Sequence, residues 1–172
     1  ITITADTFVY NKFLNILTVD GNVEIIDPNQ DLKIYSDSGV YKKNEEIVTT
    51  NRNSKAVYGD GKFIYANTFK LNRNEKILNA KGNVKIENII DDHIIKGNDF
   101  TYFKNSEKII TEGETRALIQ SKYKITSKDV IYFVNENNLS SANKTKIEDQ
   151  NSQVYFIEKF QYKINQEILK GE

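Results

Sequence analysis

The sequence predicts an all-β domain built from six repeats, and three observations lead to that class. A short motif recurs along the whole chain of 172 residues. Apolar and polar residues alternate around each copy, which is typical of half-buried strands. Gly or Asn recurs at the same place after each copy, and these residues suit tight turns because they tolerate positive φ. No stretch shows sustained helical spacing.

The recurring motif is a small residue followed three positions later by an apolar residue and five positions later by Tyr. The Tyr positions are 30 or 31 residues apart, which indicates a repeat architecture. The third copy ends in Leu71, and the sixth begins with Ile157 where the others have a small residue. The six copies occupy residues 5–10, 36–41, 66–71, 97–102, 127–132 and 157–162.

The apolar members of the motif form two ladders if the repeats stack in register. Because strand side chains alternate between faces, both ladders lie on one apolar face, which must fold on itself or be covered. The first ladder has Gly39 as a gap and consists of Phe8, Phe69, Phe100, Val130 and Phe160. The second ladder consists of Tyr10, Tyr41, Leu71, Tyr102, Tyr132 and Tyr162.

Turns divide each repeat into about two strands, which gives about a dozen strands in all. The stretch "LNAKGNVKIENI", residues 78–89, predicts strand, tight turn at 81–83, and strand; "LTVDGNVEIIDP", residues 17–28, repeats the pattern. The polar turns after each Phe-x-Tyr segment resemble hairpins and favour antiparallel pairing. The sixth turn is expected at residues 170–172. We expect residues 1–172 to form a single domain.

Composition excludes several classes of function. Lys plus Arg and Asp plus Glu both number 24, so the net charge is zero, which argues against a nucleic-acid partner. The chain has no Cys, which excludes a disulfide or a thiolate site. It contains neither a nucleophile elbow nor a clustered acid–base set, so no enzyme, cofactor or metal is predicted. The absence of Met predicts that the sequence is a fragment of a longer chain.

The motif "AD-x-F-x-Y", followed about ten residues later by "GNV-x-I", resembles the OstA-like β-jellyroll family of lipopolysaccharide transport. That family includes a soluble periplasmic bridge protein and the periplasmic N-terminal domain of the outer-membrane assembly barrel. The resemblance covers essentially the whole chain and is best in copies one and three. Copies five and six lack Gly-Asn-Val. The barrel form often carries cysteines, which are absent here.

The resemblance implies an antiparallel, folded-over β-jellyroll in the periplasm of a Gram-negative bacterium. Its apolar trough would carry lipopolysaccharide acyl chains on the eleven ladder residues from Phe8 to Tyr162. Its end strands would pair with neighbouring OstA-like domains, and the chain would meet the outer-membrane β-barrel and its lipoprotein if it is the barrel's domain. We expect the uncharged segment Ile1, Thr2, Ile3 and Thr4 to accept such a strand.

Four cations follow members of the second ladder by two positions and are candidate headgroup contacts: Lys12, Lys43, Arg73 and Lys104. A solvated turn with Lys for solubility is the simpler explanation, and Val134 interrupts the column. His93, the only His, is expected in a solvated polar loop with Asp91 and Asp92.

Two other functions remain open at this point. A period near 30 also suits a β-solenoid that serves as a structural or adhesion module without lipid transport. A repeat-built carbohydrate lyase is a more distant alternative, because no acid–base cluster is visible. The ladders themselves are compatible with an ordinary packed core.

Overall fold

The computed structural model describes residues 1–171 and confirms the all-β prediction. It contains nineteen strands, three single-turn 3-10 segments and no α-helix within that range. All pairings between these strands are antiparallel, so the expected hairpins are present and the β-solenoid architecture, which needs parallel pairing, is wrong. Within residues 1–171 no helix is long and apolar enough for a membrane crossing.

The strands form two stacks that are joined along one edge. Four long strands run through both stacks: β3 (Ile16–Asp27), β4 (Leu32–Lys42), β9 (Ile77–Asn88) and β10 (His93–Phe103). The first sheet, which holds the Phe-x-Tyr segments, adds β2 (Thr7–Asn11), β5 (Ile47–Asn51), β8 (Thr68–Asn72), β11 (Lys108–Glu112), β14 (Ile131–Phe133), β15 (Asn138–Ser141), β18 (Phe160–Lys163) and β19 (Ile168–Gly171). The second sheet adds β1 (Thr2–Thr4), β6 (Ser54–Val57), β7 (Lys62–Ala66), β12 (Glu114–Ile119), β13 (Tyr123–Lys128), β16 (Thr145–Glu148) and β17 (Val154–Ile157).

Main-chain hydrogen bonds between successive hairpins show that the repeats stack in register. The N–H of Lys43 donates to the carbonyl of Asn15 at 3.0 Å, and Arg73 donates to Glu46 at the same distance. Lys104, Val134 and Ile164 continue the series with bonds to the hairpin one repeat earlier. Each repeat therefore adds one layer to the stack, as the spacing of the motif predicts.

The expected tight turn at Gly82 is instead a bend inside a continuous strand. Gly82 and Asn83 have φ of 79° and 50°, and β9 remains paired on both sides of them. A pair of left-handed residues bends the strand from one sheet into the other without ending it. A Cβ atom at Gly82 would lie 2.6 Å from Nδ2 of Asn67, so the position also requires glycine for space. Gly21 and Asn22 make the same bend in β3.

The interior lies between the two sheets. The second sheet contributes a central ladder in which each member is buried and stands opposite the next across adjacent strands. Burying one such Ile side chain contributes roughly 1.5–3 kcal/mol, so this ladder is a main source of stability. Its buried members are Ile25, Ile34, Ala56, Ile64, Ile86, Ile95, Ala117, Ile125 and Ile147.

Small hydroxyl side chains fill the joined edge, which we call the corner. Thr50 and Ser54 are paired at 2.8 Å, Thr111 and Thr115 at 2.6 Å, and Ser127 and Thr145 at 2.8 Å. These buried hydroxyls bond to one another because a buried polar group without a partner is costly. Their small size lets the two sheets meet closely at the corner, and the hairpins lie along the opposite edge.

Candidate functional site

The eleven predicted trough residues belong to the inward face of the first sheet, and their exposure depends on their place along the stack. Phe69, Leu71, Phe100 and the residues that follow them in both ladders are buried. Tyr41 is half-buried, whereas Phe8 and Tyr10 remain 50% and 51% exposed. The interior is therefore covered over most of its length and uncovered at the N-terminal end. Lipid contact by these residues stays a prediction.

The covered part of the interior is packed. The void beside Leu71, Leu78 and Tyr102 measures about 10 Å³, close to the minimum that one water molecule occupies. An acyl chain would therefore enter the middle of the molecule only if the two sheets separated. The separation would occur at the edge opposite the corner, since the continuous strands β3, β4, β9 and β10 tie the sheets together at the corner.

The two sheets are in contact along the edge opposite the corner, so this edge is closed. We call this set of contacts the seam. Nε of Arg73 lies 2.7 Å from Oδ2 of Asp27, and the rings of Tyr58 and Tyr102 are 5.2 Å apart. Further along, Asn137 donates to Asp91 at 2.8 Å, and Nζ of Lys122 lies 2.7 Å from Oε1 of Glu167. Two ring pairs, His93–Tyr132 and Tyr123–Tyr162, lie beside these polar contacts.

Each repeat adds about one group of contacts to the seam. Within residues 1–171, the first layer contributes none. The hydroxyl of Tyr10 donates to Asn15 of its own hairpin at 2.7 Å, rather than to the second sheet. The hydroxyl of Tyr41, one repeat later, also donates to its own hairpin at Glu46, but it accepts from Arg73, which is paired with Asp27 of the second sheet. Within residues 1–171, the N-terminal layer is thus the place where the apolar ladders meet solvent without any separation of the sheets.

The N-terminal end also presents two unpaired strand edges. Within the described residues, β1 and β2 each pair only with β3, so one side of each remains open. Ile3, in the predicted accepting segment, stands opposite Ile25 and is half-buried. Beside these edges the hairpin residue Phe13 is 98% exposed. Edge pairing by residues 1–4 remains a prediction, and the structure places that segment where such pairing would occur.

The C-terminal end has a similar pair of edges among residues 1–171. β17 pairs only with β16, and β19 pairs only with β18. Tyr155, Phe156 and Leu169 are exposed there. Residues 170 and 171 of the sixth expected turn belong to β19, and Glu172 lies outside the described residues.

The predicted basic column is in register, but its members have different surroundings. Lys12 and Lys43 are exposed on their hairpins. Arg73 is only 15% exposed and forms ion pairs with Asp27 and Glu46. Burial alone would lower its pKa, but these carboxylates raise it above the ordinary value. Lys104 pairs with Glu107 of its own hairpin at 2.7 Å. Arg73 is thus a seam residue, while headgroup contact by the column is still only predicted.

The expectation that His93 lies in a solvated loop is wrong. It begins β10, is 1% exposed and packs edge-on against Tyr132. Neither ring nitrogen has a hydrogen-bond partner within residues 1–171, and burial lowers the pKa of His93 to about 4. The pattern of the repeat places position 93 on the inward face, which overrides its polar neighbours. In the described part of the chain, no group of three His, Cys, Asp or Glu side chains could hold a metal.

Comparison with known proteins adds little to this geometry. No family model matches the chain, and no curated protein does. One solved structure with a significant match is that of LptH from Pseudomonas aeruginosa, described as the LptA-homologous periplasmic component of the lipopolysaccharide transport device. It shares 11% sequence identity and a TM-score of 0.33, over 91% of this chain and 92% of that one. An overlap this loose supports no statement about function.

Proposed function

We propose that the chain is a non-enzymatic lipopolysaccharide carrier that shields acyl chains between the inner and outer membranes. The observation that carries the proposal is the apolar interior, which continues along the whole stack and, within residues 1–171, is exposed at Phe8 and Tyr10 in the first layer. The resemblance of the repeated motif to the OstA-like family supports the same function and a periplasmic location. Of the family's members, we propose the periplasmic domain of the outer-membrane assembly barrel.

The energetics of the cargo fit this interior. Exposing an acyl chain of a dozen carbons to water costs roughly 10 kcal/mol, so a carrier must shield the chain without interruption. It must also avoid one site of much higher affinity, where transport would stall. Ladders with similar residues in every repeat offer nearly equal environments from layer to layer. The seam has separate contact groups in successive layers, which would allow it to open locally as the chain passes.

The unpaired edges support assembly with other domains of the same type. Exposed strand edges normally carry charge, Pro or bulges that prevent pairing, whereas Thr2–Thr4 has none of these. In the proposed arrangement a neighbouring domain adds a strand to β1 or β2, and the apolar interiors become continuous. The outer-membrane barrel and its lipoprotein are the partners that the barrel-domain hypothesis adds.

The packed middle also fits a second function, a structural or adhesion module that carries no lipid. The small void beside Tyr102 favours that alternative, since a permanently closed core needs no cargo. Native mass spectrometry after mild extraction separates the two functions. Lipopolysaccharide that co-purifies with the chain supports the carrier, and its consistent absence supports the structural module.

We expect a photo-crosslinking residue at Phe100 to capture lipopolysaccharide in cells, whereas one at Thr101 should not. Phe100 faces the interior, and the adjacent Thr101 faces outward and bonds to Asn79 at 3.1 Å. Capture is measured as a mass-shifted band that reacts with an antibody against the lipid. Equal capture at both positions, or at neither, would contradict the carrier function in this part of the interior.

A proline scan of β1 tests assembly through its edge. Replacing Ile3 by Pro removes one N–H donor, and we expect it to abolish capture of the upstream partner while the domain stays folded. Thr2→Pro and Thr4→Pro are the neighbouring controls, because successive N–H groups along a strand point to opposite sides. Pull-down measures capture, and circular dichroism measures folding. Full capture by all three variants would place the assembly edge elsewhere, such as at β17.

A further inference from the structure

The outer face of the second sheet carries an unusual row of cations. Strand register places Lys85 opposite Lys96, and Lys96 opposite Arg116, on three adjacent strands. Like charges that face each other across strands are destabilising, so the stability of the fold does not account for this row of cations. The chain as a whole has no net charge, which makes the local excess more notable. The row continues through Thr126 to Lys146.

Neighbouring acids neutralise this row only in part. Lys85 pairs with Glu87 at 3.1 Å, and Arg116 pairs with Glu114 at 2.7 Å in a largely exposed contact. Lys96 and Lys146 are exposed and form no ion pair within residues 1–171. Two ammonium groups without an ion-pair partner in the described chain therefore flank Arg116 and Thr126, and only Lys146 has a carboxylate, that of Glu148, acting on it from nearby.

The same strands form an open groove of about 410 Å³ on this face. Thr126 lies between Arg116 and Lys146 in the row, and the other side of the groove includes the aliphatic residues Ile94 and Leu118. Lys124 is also present, but Glu148 binds it at 2.9 Å. The groove thus combines unpaired cations with an apolar side, which suits an amphiphilic anion.

Exposed apolar residues continue beyond the groove on the same face. In β17, Phe156 stands opposite Lys146 and is 67% exposed, while Val154 stands opposite Glu148. Cations beside exposed aromatic and aliphatic side chains are typical of surfaces that attach to anionic bilayers. The apolar groups enter the interfacial region, and the cations attract the phosphates.

We propose that this groove docks the chain on an anionic phospholipid bilayer, with the lipid phosphate between Lys96, Arg116 and Lys146. Ile94 and Leu118 then contact the glycerol and upper acyl region of the same lipid. A single-stranded nucleic acid is a poorer fit, because it stacks successive bases on a series of aromatic faces, and Phe156 supplies only one such exposed ring beside the groove. The nearby rings of Phe63 and Tyr65 are covered by Lys55 and Lys85, at 4.4 and 4.1 Å.

This docking surface is separate from the proposed cargo path. The row faces outward, whereas Ile95, Ala117 and Ile125 on the same strands face the interior. Binding at the groove would hold the chain close to a membrane surface while the interior remains available. The proposal does not rest on lipopolysaccharide as the cargo.

The test is co-sedimentation of the chain with vesicles of phosphatidylcholine that contain phosphatidylglycerol, compared with pure phosphatidylcholine vesicles. Because each Lys or Arg near an anionic surface contributes about a fivefold factor, replacing three of them should weaken binding on the order of 100-fold. The groove variant is Lys96→Gln, Arg116→Gln and Lys146→Gln. The matched control removes three exposed charges from the first sheet, as Lys42→Gln, Lys70→Gln and Lys81→Gln.

Binding to the anionic vesicles that is lost in the groove variant and retained in the control supports the proposal. Thermal melting should show that the groove variant is at least as stable as the wild type, since it loses opposed like charges. Equal losses in both variants would overturn the proposal, as would tighter binding to an oligonucleotide. Full displacement by millimolar inorganic phosphate would show a free-anion site instead. These vesicles contain no lipopolysaccharide, so failure here leaves the cargo hypothesis intact.

Discussion

Crosslinking the seam at Lys122 and Glu167 is expected to abolish lipid loading in the C-terminal layers beside that contact. These side chains belong to different sheets, lie 2.7 Å apart and are partly exposed, so cysteines can replace them at little cost. The natural chain has no Cys, and a short cleavable bis-maleimide will therefore join only the introduced pair. Because the interior is packed in the resting state, a seam that cannot open should exclude the acyl chain.

Loading is measured as lipopolysaccharide captured by a photo-crosslinking residue at Phe160, which lies in the layer next to the locked contact. The matched control carries cysteines at Lys124 and Glu148, which are 2.9 Å apart on adjacent strands of the second sheet. That crosslink does not span the seam and should leave capture unchanged. Cleavage of the linker should restore capture in the locked variant. Equal capture before and after cleavage would show that loading needs no separation of the sheets.

The repeat architecture could be predicted from sequence because it is periodic. Stacked layers must present an apolar residue at the same place in each repeat, and that demand produces the spacing from Tyr10 to Tyr162. The hairpin bonds from Lys43 to Ile164 confirm the register that this spacing predicts. Both ladders occupy the inward face for the same reason. What the ladders bind is still a prediction.

The seam could not be predicted in this way because its partners belong to different sheets. Asp27 and Arg73 are 46 residues apart, as are Asp91 and Asn137, and Lys122 and Glu167 are 45 apart. This separation is one and a half repeats, the offset between an end of the second sheet and a hairpin of the first. Complementary polar residues at that offset are the signal that could have revealed the seam.

The bend at Gly82 and Asn83 was not predicted from sequence for a different reason. Gly82-Asn83 has the composition of a hairpin turn, and a sequence window cannot distinguish a reversal from a bend between two sheets. The distinction depends on pairing at long range, since β9 keeps partners on both sides of Gly82. In the second repeat the corresponding Arg52 and Asn53 do separate two strands, β5 and β6.

The second large effect concerns His93 and the stability of the seam in acid. Its pKa is about 4 in the folded chain and 6.5 when unfolded, so the unfolded state binds the proton more tightly. Well above pH 6.5 both states are neutral and His93 adds no pH dependence. As the pH falls from 6.5 to 4, protonation favours the unfolded chain, and we expect a loss of about 3 kcal/mol from this residue alone. Burial is the main cause, the charge on Lys62 adds to it, and Asp91 and Asp92 oppose it.

Replacing His93 by Phe isolates this contribution from that of the carboxylates, which also titrate in acid. Phe keeps an aromatic ring against Tyr132 and removes two ring nitrogens that have no partners in the described chain, so the variant should fold. Urea titrations at pH 7.5 and pH 4.5 give the free energy of unfolding of both proteins. The wild type should lose more stability between these pH values than His93→Phe does, by about 2–3 kcal/mol. Equal losses would mean that the imidazole reaches solvent or a partner in the folded chain. A smaller loss in the wild type would mean that Asp91 and Asp92 outweigh burial and hold the seam closed as the pH falls.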